Sequence, residues 1–260
     1  MPASTDFIVA RMRAIARDFA AVLSGSSNRL LDFHKVSHQL RIGGPVFSGV
    51  QPVLLAEIIG SVQRYQDFDS VFLPLQSISF TRWTQINRAW YNEVSLPPVS
   101  LYRVGNAHFV VDGHHRISVA RTRGEEYIEA EVRDCQVRIP VTSSLQAKHL
   151  EILGAKVQFL ERTNLDRLMP HLEIEVSILG GYHRLLEHIA VHRYFMGLDY
   201  RREIPEAEAV VHWADTVYRP TLAIIEKDGA QQLFPGRSTA DLYLWLMDHK
   251  HYLNSPDQTE

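Results

Sequence analysis

Near the start of the chain, Ile8, Met12, Ile15, Phe19 and Leu23 recur three or four residues apart, with Arg11, Arg13 and Arg17 elsewhere on the cylinder. That spacing predicts an amphipathic helix over 5–24, ended by Ser24-Gly25-Ser26-Ser27. A second helix is expected over 28–41, capped by Ser27 and stopped at Gly43-Gly44-Pro45. The pattern then becomes extended. Val50 to Ile59 reads as a strand, and the polar stretch from Ser61 to Asp69, with Arg64 and Tyr65, reads as a loop. Ser79 to Val94 returns to helix, with Trp83, Ile86 and Trp90 on one core-facing stripe. Leu96 to Val132 reads as strand, hairpin, strand, helix and strand, with Gly105-Asn106 at the hairpin turn.

A connector follows around Asp134 to Ser144, and beyond it helical periodicity dominates. Helices are expected over 145–152, 163–169, 181–196, 206–226 and 238–252, with a lone strand at Leu172 to Ile178. Pro220 should kink or break its helix, and Ser238 with Asp241 has capping-box spacing. The predicted class is α+β. N-terminal helices occupy 1–44, a small mixed sheet 45–138 and a mainly helical domain 139–260.

Composition narrows the classes. With 260 residues, 45% hydrophobic and 22% charged, the chain can bury a full core. A net charge of −3 argues against a surface coated for non-specific nucleic-acid binding. The single cysteine, Cys135, excludes an intrachain disulfide and a Cys-x-x-Cys metal or redox pair. Nothing resembles a signal peptide or an apolar run long enough to span a bilayer, so a soluble cytoplasmic protein is expected.

The chemistry concentrates in His108 to Arg121. Phe109, Val110 and Val111 form a short strand, Asp112-Gly113 turns, and a helix restarts through Ile117, Val119 and Ala120. A strand passing through a glycine turn into a helix leaves backbone N–H groups and the positive end of the helix dipole facing whatever sits above the turn, which favours an anion. His114, His115 and Arg116 stand on the same turn, and the arginine fork suits phosphate oxygens. A tight turn with a polar surface cluster is the plainer alternative.

Asp112-Gly113-His114-His115-Arg116, between a strand and a helix, resembles the nucleotide-binding box of the ParB/sulfiredoxin-like superfamily. Leu96 to Tyr102 is similar to the family's strand before that hairpin, Glu125 to Val132 to its closing strand, and Val53 to Pro74 to its opening strand and polar loop. The likeness covers residues 45–135 or so. Phe234 to Tyr243 further resembles a bacterial group that joins a ParB-like segment to a helical C-terminal domain. In sulfiredoxin a cysteine follows the box glycine; His114 stands there here, which removes reductase chemistry. The resemblance implies a nucleotide such as ATP with Mg²⁺. Gly113, His114, His115 and Arg116 would hold phosphates, with Ser61 and Arg64 beside the cleft. Asp112 would serve Mg²⁺ or a substrate hydroxyl, and His114 and His115 would join it as candidate catalytic groups.

Two other constellations compete for attention. His183, His188 and His192 share one expected helix with Glu187, at four-residue spacings that could hold a metal. Ile189 stands where a His-Glu-x-x-His protease helix needs its glutamate, and the surrounding packing residues favour hydrogen-bonded histidines. Phe234-Pro235-Gly236-Arg237-Ser238 is a second glycine turn at a helix start, and Arg237 is a further phosphate candidate, although a plain capped turn explains it better. Walker A, Gly-x-Gly-x-x-Gly and Gly-x-Ser-x-Gly patterns do not occur.

Three functions follow. The first is a nucleotide-binding protein acting as a Mg²⁺-dependent hydrolase or phosphotransferase on a small molecule. The second is a DNA-associated partition or nuclease protein, disfavoured by the acidic balance and the lack of a helix-turn-helix. The third is a non-catalytic nucleotide-sensing adaptor. A membrane partner is not expected, and a homo-oligomer is compatible with each.

Overall fold

The computed structural model describes residues 2–64, 66–75 and 80–253. Tyr65, read as part of the polar loop, and Ser79, read as the start of a helix, lie outside the described residues. The chain forms two compact units, Met1–Leu150 and Glu151–Glu260.

The first unit is built on one mixed sheet. Its strands are β1 (Leu31–Asp32), β2 (Pro45–Leu54), β3 (Ile58–Ser61), β4 (Val99–Val104), β5 (Ala107–Asp112) and β6 (Tyr127–Cys135), in the spatial order β1-β3-β5-β4-β6-β2. β4 and β5 form the expected antiparallel hairpin; β3 runs parallel to β5, and β6 parallel to β4. Gly105 turns the hairpin at φ +59°, where a Cβ would come within 2.4 Å of the Val141 carbonyl oxygen.

Central β5 is covered on both faces. Phe109 meets Phe33 of α2 (Phe33–Leu40) at 5.4 Å between ring centroids. Val110 joins Val99, Leu101, Ala130 and Val132 in a core closed by Ile117 and Ala120 of α4 (His114–Arg123). α3 (Phe80–Tyr91) packs beside α4, and the buried Trp83 indole donates to Ser118 Oγ at 3.0 Å.

Three expectations change in this unit. The first concerns α1 (Pro2–Ser24), which forms but turns Phe7, Ala10 and Ala14 inward, leaving Ile8, Met12, Ile15, Phe19 and Leu23 exposed. Alanine at the contact lets the helix lie close to Trp83 and Val119, which a face of longer side chains would not.

The second is the helix expected over 28–41, which starts only at Phe33. Leu31 and Asp32 pair with Gly60 and Ser61 instead, and Asp32, not Ser27, caps α2 by accepting from the His34 N–H at 2.9 Å. Gly60 makes that pairing possible: a Cβ there would lie 2.6 Å from the Leu31 carbonyl oxygen and 2.4 Å from the Phe109 ring. The third is the single strand from Val50 to Ile59, which breaks at a 3₁₀ turn, Leu55–Glu57, into β2 and β3.

The second unit is helical: α5 (Leu150–Thr163), α6 (Leu165–Leu168), α7 (Gly181–Tyr200), α8 (Glu206–Trp213), α9 (Arg219–Lys227), α10 (Ala230–Leu233) and α11 (Thr239–Leu253). The helix expected over 145–152 is a 3₁₀ turn, Ala147–His149, running into the longer α5. Trp213, Tyr218 and Tyr243 lie at the centre of its core, where the Trp213 indole donates to Tyr243 Oη at 3.0 Å.

Leu172 to Ile178 is not a strand, although Ile174 and Val176 alternate inward as expected. Side chains take the place of a ladder: the Val176 N–H donates to Tyr182 Oη, which donates to the Ile174 carbonyl, and the Ser177 N–H donates to Asp241. The expected helix over 206–226 contains a π turn, Ala214–Tyr218, just ahead of Pro220. Proline has no N–H for the preceding turn, and the widened turn absorbs it. Among the described residues no helix is long and apolar enough to cross a membrane.

Candidate functional site

β5 ends at Asp112 and α4 starts at His114, leaving one residue to turn the chain. Gly113 does so at φ +103°, and a Cβ there would sit 2.5 Å from Val99 Cγ1. Both the backbone angle and the space require glycine. No side chain caps α4, and its first backbone bond runs from the Ile117 N–H to the Gly113 carbonyl at 3.0 Å. The N–H groups of His114, His115 and Arg116 therefore precede the helical ladder and carry the positive end of its dipole.

Arg116 braces this turn from outside. It donates to Asp112 Oδ2 at 2.7 Å, to the Pro98 carbonyl at 2.8 Å and to the Pro97 carbonyl. The guanidinium so held is mostly buried, whereas Asp112 is exposed.

The two histidines are buried against Phe68, which stacks on His114 and meets His115 edge-on. Ser61 Oγ lies 2.7 Å from His114 Nε2 and accepts from the N–H groups of Gln63 and Arg64. The Ser61 hydroxyl has two acceptors in reach, His114 Nε2 and the Val110 carbonyl at 3.5 Å, and the shorter contact joins the serine to the ring. His115 Nε2 is buried with no hydrogen-bond partner among the described residues.

Burial pushes the His114 pKa down to about 4, assisted by Arg64 and His115 and opposed by Asp112. His115 is likewise pushed down to about 4 by burial, with Arg64 and Arg82 adding to the shift. Both rings are neutral at pH 7. They act there as hydrogen-bonding groups, far from the near-neutral pKa that general acid–base catalysis favours.

These residues line a pocket of about 200 Å³ together with Gln63, Arg64, Arg82 and Ile86. Of the residues singled out from sequence, Asp112, Gly113, His114, His115, Arg116 and Arg64 meet at this pocket, and Ser61 stands behind His114. Arg237 lies in the second unit, in the turn leading to α11. Sequence reading missed Arg82 and Phe68. Arg82 stands four residues before Ile86 on α3, so the stripe through Ile86 carried a signal for it. Among the described residues Arg82 has no ion-pair partner, whereas Arg64 approaches Asp67 at 4.0 Å.

The α7 histidines disperse: His183 pairs with Glu187 at 3.3 Å, His188 Nδ1 meets Tyr243 Oη at 3.3 Å, and His192 Nε2 meets His212 Nδ1 at 2.7 Å. No group of three or more histidine, cysteine or acidic side chains among the described residues is placed to hold a metal ion. Asp112 is the lone carboxylate at the pocket and is engaged by Arg116, so a Mg²⁺ there would need a ligand's phosphates as further donors.

No family model and no curated protein matches the chain. Among solved structures it is similar to sulfiredoxin from Arabidopsis thaliana, with 14% sequence identity and a TM-score of 0.25, over 34% of this chain and 86% of that one. The chemistry of the pocket is read from its own atoms.

Proposed function

We propose that the pocket at the head of α4 binds the phosphates of a nucleotide or other phosphorylated small molecule. The observation that carries this reading is the convergence on one pocket of the uncapped α4 N-terminus with Arg64, Arg82 and two neutral histidines. Unspent backbone donors, the helix dipole and arginine side chains all favour an anion, and neutral imidazole N–H groups add donors without needing a proton from solution. At about 200 Å³ the pocket is smaller than the roughly 300–1,000 Å³ of sites that enclose whole small molecules. It therefore takes the phosphates and leaves the rest of the ligand outside. Asp112, exposed at the rim, is the group placed to accept a proton from an attacking hydroxyl if the bound phosphate is transferred.

Isothermal titration with inorganic phosphate, pyrophosphate, ADP and ATP tests the reading. Arg82→Ala should weaken binding about ten- to a hundredfold while leaving the melting temperature unchanged, since a charge-assisted bond contributes roughly 1.5–3 kcal/mol and Arg82 has no ion pair among the described residues. Wild-type protein that binds none of these at millimolar concentration would end the proposal. Asp112→Asn separates binding from transfer: affinity should hold or rise, and any turnover should collapse.

A further inference from the structure

α1 carries a feature the phosphate pocket does not use. Ile8, Met12, Ile15, Phe19 and Val22 are 55–76% exposed and succeed one another at spacings of four, three, four and three. That is the d-a-d-a-d seam of a coiled coil, two heptads long. At about 100° per residue it lies roughly 120° round the helix from the buried Phe7, Ala10 and Ala14. An amphipathic helix ordinarily turns its longest apolar stripe inward; this one presents it outward.

The flanking charges say what fits. On the side of the seam nearer the body, the two g-type positions are Arg11 and Asp18, of opposite sign and seven residues apart. In an antiparallel pair about a twofold axis, g faces g, so Arg11 of each copy meets Asp18 of the other. A parallel pair would set them against the uncharged Ala16 and Leu23. Arg11 has no ion pair among the described residues, and Asp18 has an exposed one with Arg29 at 3.3 Å. Beside the seam, Ile15, Phe19 and Val22 form one wall of a groove of about 930 Å³ whose far wall includes Leu30, Leu31 and Leu75, space for an incoming helix.

We propose that this protein dimerises through α1, two copies pairing antiparallel along the Ile8–Val22 seam with reciprocal Arg11–Asp18 contacts. The arrangement is closed and isologous, as a twofold dimer requires.

Light scattering on the full chain after size exclusion, with sedimentation across a concentration series, tests it. Wild-type protein should be dimeric, with a melt that rises with protein concentration, and Phe19→Glu should be a folded monomer with native circular dichroism and a concentration-independent melt, because residue 19 contributes nothing to the inner face. Arg11→Asp and Asp18→Arg should each weaken the dimer about tenfold, since each places like charges together twice. Mixing those two variants should restore dimers at wild-type strength, because only the mixed pair matches opposite charges at both contacts. Arg29→Ala, which removes the other partner of Asp18, should leave the dimer intact. A monomeric wild type at about 100 μM, well above a micromolar Kd, would overturn the proposal. So would a dimer that survives Phe19→Glu, or a mixture of the charge variants that does not recover.

Discussion

Two helices of this protein start from a glycine turn bearing an arginine, and they use that start in opposite ways. At α11 the capping box is complete: Ser238 Oγ accepts from the Asp241 N–H at 3.1 Å, and Asp241 Oδ2 accepts from the Ser238 N–H at 3.0 Å. Asp241 also holds Ser177 through its N–H and its hydroxyl. At α4 the residue before the helix is Gly113, which has no side chain to cap with, and the nearest carboxylate, Asp112, is engaged by Arg116. Identical motif logic therefore yields a closed brace in one unit and a set of unspent donors in the other. What distinguishes these two turns is who satisfies their N–H groups, and an arginine nearby does not decide it.

The sharpest way to break the comparison is at the glycines. Gly113→Ala should cost about 3 kcal/mol or more in urea unfolding, because it combines a left-handed backbone with a Cβ 2.5 Å from Val99 Cγ1. Gly236→Ala should cost only about 1 kcal/mol: its φ of +82° is strained for alanine, but nothing lies within 4 Å of the new methyl. Equal losses would mean that Val99 yields and that the α4 turn is less constrained than its packing indicates.

His188, beside Tyr243 of α11, is also held below its ordinary pKa by burial, but the larger pH dependence comes from the two histidines of the α4 turn. Their folded pKa of about 4 lies below the ordinary 6.5, so the unfolded chain binds more protons between those values. Stability is thus full above about pH 6.5 and falls as pH drops towards 4. For His114 alone the loss on full protonation is on the order of 3 kcal/mol, since burial holds its pKa down from 6.5 to about 4. His114→Asn should flatten part of that slope in melts between pH 7 and 4. A bound phosphate favours the protonated rings, so affinity should rise as pH falls through the same window. Affinity that falls instead would separate the histidines from the anion.

A smaller effect is expected at the carboxylates. Asp241→Ala should cost about 2 kcal/mol, since it removes a cap and strands donors of Ser177 and Ser238. Asp112→Ala should cost under about 1 kcal/mol, because its pair with Arg116 is exposed on the carboxylate side and Arg116 keeps the Pro97 and Pro98 carbonyls. The smallest effect is Arg237→Ala, which should leave phosphate affinity within about twofold in titration, because its helix start is already satisfied from within.

Much of this was legible in the residues. The hairpin at Gly105-Asn106, the strand–turn–helix through Asp112-Gly113 and the Ser238–Asp241 cap each depend on contacts a few residues long, and local pattern carries such contacts. The Asp112–Arg116 turn is legible as a glycine turn between strand and helix, and Ser61 and Arg64 as candidates through the resemblance of their polar loop to the superfamily's cleft. Arg82 and Phe68 were not, since each reaches the site through packing between elements distant in sequence. Long-range pairing also displaced local preference at Leu31–Asp32, where the open side of Gly60 offered a strand partner to a segment that reads as helix.

By itself, then, the amino-acid sequence determined most of the elements, the turn that could hold an anion, and the kinds of side chain available there. Tertiary structure decided which groups are spent and which are left. It assigned Arg116 to the Pro97 and Pro98 carbonyls, His114 to Ser61, and brought Arg82 to the pocket. It also turned the alanine face of α1 inward and its longer apolar stripe out. The reason is physical. Periodicity records which residues share a face, but whether that face is covered, and whether a donor finds an acceptor, depends on close packing among segments far apart in the chain.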